Sequence, residues 1–120
     1  EMLDPASGQL TVAIGENTLG GDPSGMVQKM STEFFVQVYR SYGDEPVKRV
    51  DLAAGTVLAT ISGVTDAFGG MAYDSVSDLL FVGERKALDV GIKVFQGNGT
   101  KVRGPIPFDL PPSALAVIRY

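Results

Sequence analysis

The sequence contains no cysteine, no histidine and no tryptophan. With them go disulfides, thiolate nucleophiles, imidazole bases and the usual zinc or haem ligands, so most catalytic and metal templates fail here. The missing cysteine leaves the redox compartment open, because a secreted domain with a large enough core needs no disulfide. No apolar run approaches the roughly 20 residues that cross a bilayer as a helix. Basic residues are few as well: 10 stand against 14 acidic ones, for a net charge of −4 without a basic cluster. That balance argues against a surface that follows the phosphates of DNA or RNA.

What is present is apolar enough to fold. At 120 residues, 44% hydrophobic and 20% charged, the chain has globular composition and the length of one ordinary domain. Its organisation is repetitive. GMVQKMSTEFFVQVYR at 25–40 returns as GMAYDSVSDLLFVGER at 70–85. A constant offset of 45 pairs Gly25 with Gly70, Met26 with Met71, Glu33 with Asp78, Arg40 with Arg85, Val47 with Ile92 and Lys48 with Lys93, with no gap. A shorter phrase occurs three times, as LDPASGQLTVAI from Leu3, VDLAAGTVLATI from Val50 and VFQGNGTKVRGPI from Val94. The closing PSALAVIRY aligns with FGGMAYD, placing Leu115 on Met71 and Ala116 on Ala72.

Alternating valine, isoleucine, phenylalanine and tyrosine predict strands at 26–30, 34–40, 47–51 and 56–61, and again at 71–74, 79–84, 92–96 and 101–106. Glycine and proline interrupt the chain too often for a helix of ordinary length, about 11 residues. Four short antiparallel strands per unit of about 45 residues predict an all-β fold made of consecutive four-stranded β-propeller blades, each too thin to stand alone. In this phase residues 1–24 are the end of a preceding blade with its connecting loop. Residues 25–69 and 70–113 are two blades, and 114–120 is the inner strand of a following one. About two and a half blades make an incomplete ring, since a ring of four needs about 180 residues at this period. The start at Glu1 and the mid-blade phase point to a portion of a longer chain. Copies assembling one ring, or a partner supplying the rest, are the other ways to close it.

The stretch PVKRVDLAAGTVLATISGVTDAFGGMAYD resembles the YVTN and NHL-type β-propeller repeats. In them a strand ends in aspartate, a glycine-bearing turn and a valine-rich strand follow, and a Gly-Gly step opens the next blade. LLFVGER resembles their second strand, and the likeness covers nearly the whole chain. Departures are the insertion ENTLGGDPS and Gln96, where aspartate is usual. The resemblance implies a closed ring of six to eight blades, extracellular or periplasmic, that contacts protein or polysaccharide. Less often such rings act as lactonases, lyases or oxidoreductases, whose catalytic groups would then lie in other blades. A self-assembling structural protein is a third expectation.

Loops at strand ends carry binding in such scaffolds, so 41–46 and 86–91 are the predicted contact rims, with Arg40, Tyr42, Asp44, Glu45, Arg85, Lys86 and Asp89 as candidate residues. Against this stands a plainer role for Arg40 and Arg85, an ion pair or a hydrogen bond to loop carbonyls, because the position recurs in both units. Asp4, Asp51, Asp66, Asp74 and Asp109 suit calcium in ligand type, yet no D-x-D-x-D-G loop occurs, and aspartate beside small residues is a turn former. Glu84 and Asp89 are the one carboxylate pair that loop closure would bring together. Asn98-Gly99-Thr100 fits both a glycosylation sequon and an Asn-Gly hairpin turn. Gly20-Gly21 and Gly69-Gly70 lack phosphate-loop spacing and suit entry into a crowded inner strand. No catalytic residue, metal or cofactor is expected. The predicted partners are further blades or subunits, with a protein or polysaccharide on the rim.

Overall fold

The computed structural model describes residues 2–3, 5–109 and 112–118. Strands β1 (Met2–Leu3) and β2 (Leu10–Thr11) form a short hairpin, followed by a single helical turn, α1 (Glu16–Leu19). Eight further strands follow: β3 (Asp22–Gln28), β4 (Glu33–Tyr39), β5 (Val47–Asp51), β6 (Thr56–Thr60), β7 (Ala67–Asp74), β8 (Leu79–Glu84), β9 (Gly91–Gln96) and β10 (Lys101–Pro107). They make two four-stranded antiparallel meanders, β3-β4-β5-β6 and β7-β8-β9-β10. The fold is all-β, as expected, and no closed ring forms among the described residues.

Local chemistry explains the strand limits. β3 starts earlier than its apolar run because it lies at a sheet edge, where Pro23 is tolerated beside a bulge between Pro23 and Gly25. It ends at Gln28 because the amides of Lys29 and Met30 both turn onto the Glu33 carbonyl. β7 likewise begins at Ala67, with its irregularity spread over the glycine step before Met71. The aspartates that close strands work through their own turns: Asp51 Oδ1 accepts the amides of Ala53 and Ala54, and Asp74 Oδ1 accepts that of Val76.

The ladders correct the gap-free alignment of the two units. Met26 pairs with Val36, which pairs with Lys48; Met71 pairs with Val82, which pairs with Lys93. Met26 and Met71 are 45 residues apart, and so are Lys48 and Lys93, but Val36 and Val82 are 46 apart. The second strand is therefore displaced by one residue, gained in the turn between β7 and β8 and given back in the loop before β9. Because side chains alternate between faces, one residue exchanges the faces. Arg40 and Arg85 are not structural equivalents; by register Glu84 stands at the place of Val38.

Both faces of the first sheet are buried, against different things. Phe35 and Val47, with Val27, face the second sheet and pack on Leu80, Val82 and Phe95 together with Ile61, Val64 and Met71. The Phe35 and Tyr73 rings meet at 5.6 Å, tilted by 51°. On the other face Phe34, Val36, Val38 and Val50 meet Ile14 and Leu19 from the N-terminal segment. The far face of the second sheet carries Ala72, Phe81 and Ile92, with Leu115, Ala116 and Val117 lying over them. Residues 114–120 were expected to be the inner strand of a following blade; 114–118 are in no strand here, and Leu115, Ala116 and Val117 lie over the face of the second sheet. Residues 119 and 120 of that expectation lie outside the described residues.

Phe35 is fully buried between the sheets, whereas Met26 on the opposite face is 60% exposed. Phe35→Ala is expected to cost about 3–5 kcal/mol and Met26→Ala within about 0.5 kcal/mol, measured by urea unfolding. Equal losses would show that the two sheets do not share a core.

Candidate functional site

The polar residues of the chain gather where three segments meet at one end of the sheets. Leaving β4, the chain turns at Tyr42-Gly43, with the Asp44 amide on the Ser41 carbonyl and the Arg40 amide on the Asp44 carbonyl. Gly43 has φ +80, the left-handed conformation that such a turn needs. Glu45 then crosses to the loop between β6 and β7. Its amide donates to the Thr65 carbonyl and its carbonyl accepts the Ala67 amide, each at 2.8 Å, in a short parallel bridge. From the end of β8 the Arg85 amide donates to the Asp66 carbonyl at 3.0 Å. The backbone thus fixes 42–45, 65–67 and 84–86 side by side before any side chain is placed.

Arg85 occupies the junction. Its Nε and Nη2 donate to the two oxygens of Asp66, both at 2.9 Å, a two-point fork that only a guanidinium supplies. Glu45 lies 3.8 Å from the same Nη2. The guanidinium also lies over two rings, 4.8 Å from the Tyr42 centroid and 4.2 Å from that of Phe68. Each such stack is worth about 0.5–1 kcal/mol at an exposed site. Glu45 faces inward as well: its Oε2 accepts Gln37 Nε2 at 2.7 Å, and the same Gln37 nitrogen donates to the Ala67 carbonyl.

Beneath Arg85 lies Glu84, fully buried. Its carboxylate accepts the amides of Thr65 at 3.0 Å, Asp66 at 2.9 Å and Lys86 at 3.2 Å, and Lys93 Nζ at 3.1 Å. Lys93 donates further to the Gly63 carbonyl at 2.8 Å and to Asp89. Glu84 and Asp89 do converge, and the cation between them is the Lys93 ammonium. Burial works against that ammonium, but its hydrogen bonds to Asp89 and Glu84 prevail and raise its pKa. Lys48, at the same register position in the first sheet, is shifted the opposite way. Burial lowers it first, and the nearby Arg40 charge lowers it further. The difference follows from Val38 standing where the second sheet has Glu84, so that Lys48 is held by the Leu19 carbonyl.

Of the seven predicted rim residues, the structure brings Tyr42, Glu45 and Arg85 into one contact group. Arg40 and Asp44 pair with each other at 3.9 Å near the surface, and Arg40 Nε donates to the Gly20 carbonyl at 3.2 Å. Asp89 belongs to the Lys93 cluster. Lys86 has an exposed side chain and contributes its amide to Glu84. The residues sequence reasoning missed here are Phe68, Lys93 and the pairing role of Asp66. One signal was in the text, since Lys93 and Glu84 interrupt strands that are otherwise apolar. Tyr42 at 84% and Leu88 at 106% relative exposure are the apolar groups most open to solvent on these loops.

The carboxylates here are occupied by N–H donors, so the arrangement fixes loops and presents side chains above them. Among the described residues no group of three histidine, cysteine, aspartate or glutamate side chains is placed to hold a metal ion. Asp4 lies outside the described residues. Asn98 sits in an exposed turn where its Oδ1 accepts the Thr100 amide at 2.9 Å, beside Gly99 at φ +94. In comparison with known proteins, the chain matches no family model, no curated protein and no solved structure.

Removing one partner of a buried ion pair costs about 3–5 kcal/mol. Glu84→Ala is expected to show that loss in urea unfolding. Glu84→Val combined with Lys93→Met removes both charges yet stays destabilised, because the Thr65, Asp66 and Lys86 amides lose their acceptor at about 1–3 kcal/mol for each left dry. Full recovery in the double variant would mean that Glu84 serves Lys93 alone.

Alkaline pH acts on the same fold. Burial, then the hydrogen bond to Asp78, pushes Tyr73 up to about 12, and Lys93 is also raised. A group whose folded pKa exceeds its unfolded value stabilises fully below the unfolded value and loses that contribution as pH rises through the folded one. The expected window of loss opens at about pH 10, near the unfolded values of both groups. Thermal melting should fall between about pH 10 and about pH 12, and less steeply in Tyr73→Phe. An unchanged slope in that variant would remove Tyr73 from the account.

Proposed function

We propose that the two sheets are consecutive blades of a β-propeller of the YVTN/NHL kind, and that the chain is a portion of a larger, non-catalytic interaction scaffold. In this reading the blades span 25–69 and 70–113, residues 1–24 close a preceding blade, and 114–120 open a following one. Other blades or subunits complete the ring. The observation that carries the reading is the sense of stacking. The first sheet sets one face on the second and keeps the opposite face for the N-terminal segment, so each sheet has a front and a back, as blades in a ring do.

The rim formed by 41–46 and 86–91 is the proposed contact surface for a protein or polysaccharide ligand in an extracellular or periplasmic setting. Tyr42 supports it: the ring is open to solvent, yet its underside rests on an arginine that Asp66 holds from two points. A pre-positioned aromatic loses little freedom on binding, and such groups dominate interface energetics.

The test is a screen of immobilised chain against a panel of soluble polysaccharides and a displayed peptide library. A ligand that uses the rim should bind roughly tenfold more weakly to Tyr42→Ala and to Leu88→Ser, and unchanged to Val76→Ala, an exposed site in the β7–β8 turn. Equal effects at Val76 and Tyr42, or no ligand tighter than about 1 mM, would overturn the rim assignment.

A further inference from the structure

An open apolar groove of about 330 Å³ lies on the outward face of the first sheet, lined among others by Ile14, Leu19, Met26, Val36 and Val50. Each of these has a counterpart on the face of the second sheet that meets the first. Met71 and Val82 correspond to Met26 and Val36 through the ladders, and Phe95 to Val50 along β9. Ile61 corresponds to Ile14 through the repeated phrase, and each is followed a few residues on by a buried aliphatic side chain, Val64 or Leu19. In the second sheet those counterparts surround Phe35 and Val47, which the first sheet inserts among them. The groove is the same receptacle without its insert.

The chain carries a matching insert at its other end. In the ladders Phe35 pairs with Arg49 and Gln37 with Val47, while Phe81 pairs with Val94 and Gly83 with Ile92. Phe81 and Ile92 therefore occupy, on the far face of the second sheet, the positions that Phe35 and Val47 occupy on the near face of the first. We infer that a second copy of this chain docks head to tail, with its Phe81 and Ile92 entering the groove between Met26, Val36 and Val50. This rests on the stacked-sheet reading above and names the partner of its open face.

Two features set the strength of the contact. Within the chain the seam is latched by Glu45, Asp66 and Arg85, but the register counterpart of Arg85 is Tyr39 and that of Glu45 is Val90. The junction between copies thus lacks the charged latch and depends on apolar burial. The insert is also partly occupied. Leu115, Ala116 and Val117 lie against Phe81 and Ile92 as Met71 and Tyr73 lie against Phe35. A docking copy brings its own β3, with Met26, to that place. Residues 112–118 consequently compete with the partner.

Sedimentation equilibrium over a range of concentrations tests this. The weight-average mass of the wild type should rise with concentration, and Met26→Arg should weaken association at least about tenfold. Leu115→Ser, which loosens the competing segment, should strengthen it by a similar factor. Because the two surfaces differ, Met26→Arg mixed with Phe81→Ala should form a one-to-one pair at about wild-type strength, through the intact insert of the first and the intact groove of the second, without larger species. Met26 and Pro23 are both exposed on the groove, so Pro23→Glu repeats the groove arm if circular dichroism shows that Met26→Arg has altered the fold. A wild type and a Leu115→Ser variant that both stay monomeric, or association indifferent to Met26→Arg and Pro23→Glu, would overturn the docking. Either result leaves the rim reading standing, since that is measured on immobilised single chains.

Discussion

A four-stranded meander buries its central strands only when each face finds a cover, and in this chain the two faces of a sheet are covered by unlike partners. Phe35 and Val47 press from the first sheet into a receptacle of Val82, Phe95 and Ile61. Burying a side chain of this size contributes about 1.5–3 kcal/mol, so one such contact is a large share of what a domain of this length can spare. The middle strands β4 and β5 are consequently buried on both sides, while the edge strand β3 stays largely open. The contact has a direction. A front face inserts and a back face receives, which sets the order of the sheets along the chain.

Apolar packing alone leaves the registry of two such sheets loosely determined, and the polar end of the seam supplies what packing lacks. Glu45 joins the first sheet to the loop before β7 through its backbone, and Asp66 joins that loop to Arg85. Glu84 gathers the same loop from below, with two of its amides and the Lys93 ammonium on one carboxylate. A buried ion pair adds little net stability over an apolar pair, because taking two charges out of water costs most of what their attraction returns. Misplacing it is another matter, since a shifted sheet would leave Glu84 or Lys93 dry and unpaired. The cluster therefore penalises wrong arrangements more than it deepens the right one.

Much of this was legible in the sequence. The strand count, the near positions of all eight long strands and the turn role of Asp51 and Asp74 follow from alternation and from side-chain chemistry that acts over two or three residues. Of the residues singled out around loops 41–46 and 86–91, Tyr42, Glu45 and Arg85 meet in the structure. What could not be read was the displacement of β8 by one residue. A gain before the strand and a loss after it leave the overall offset at 45, so a gap-free match looks perfect while every side chain of the strand changes face. Phe68 escaped for a different reason: its contact with Arg85 depends on the bulged path of β7, which no local pattern announces.

The hidden displacement also explains why the two units, so alike in letters, behave differently in charge. Lys48 in β5 and Lys93 in β9 share a register position, yet burial prevails over one and hydrogen bonding over the other. The deciding neighbour is the residue at the end of the second strand, Val38 in one sheet and Glu84 in the other. Matched without the displacement, Glu84 falls opposite Tyr39 and Arg85 opposite Arg40, and the lysines appear equivalent. Matched through the ladders, a carboxylate replaces a valine at the one internal position beside the lysine. The seam inside the chain is then the charged, latched one, and the back of the first sheet, with Val38 and Tyr39 in place of Glu84 and Arg85, is the plain apolar one. Repetition in this chain supplies the shape of a surface twice, and single substitutions at register positions decide which of the two is closed within the chain and which is left to be covered.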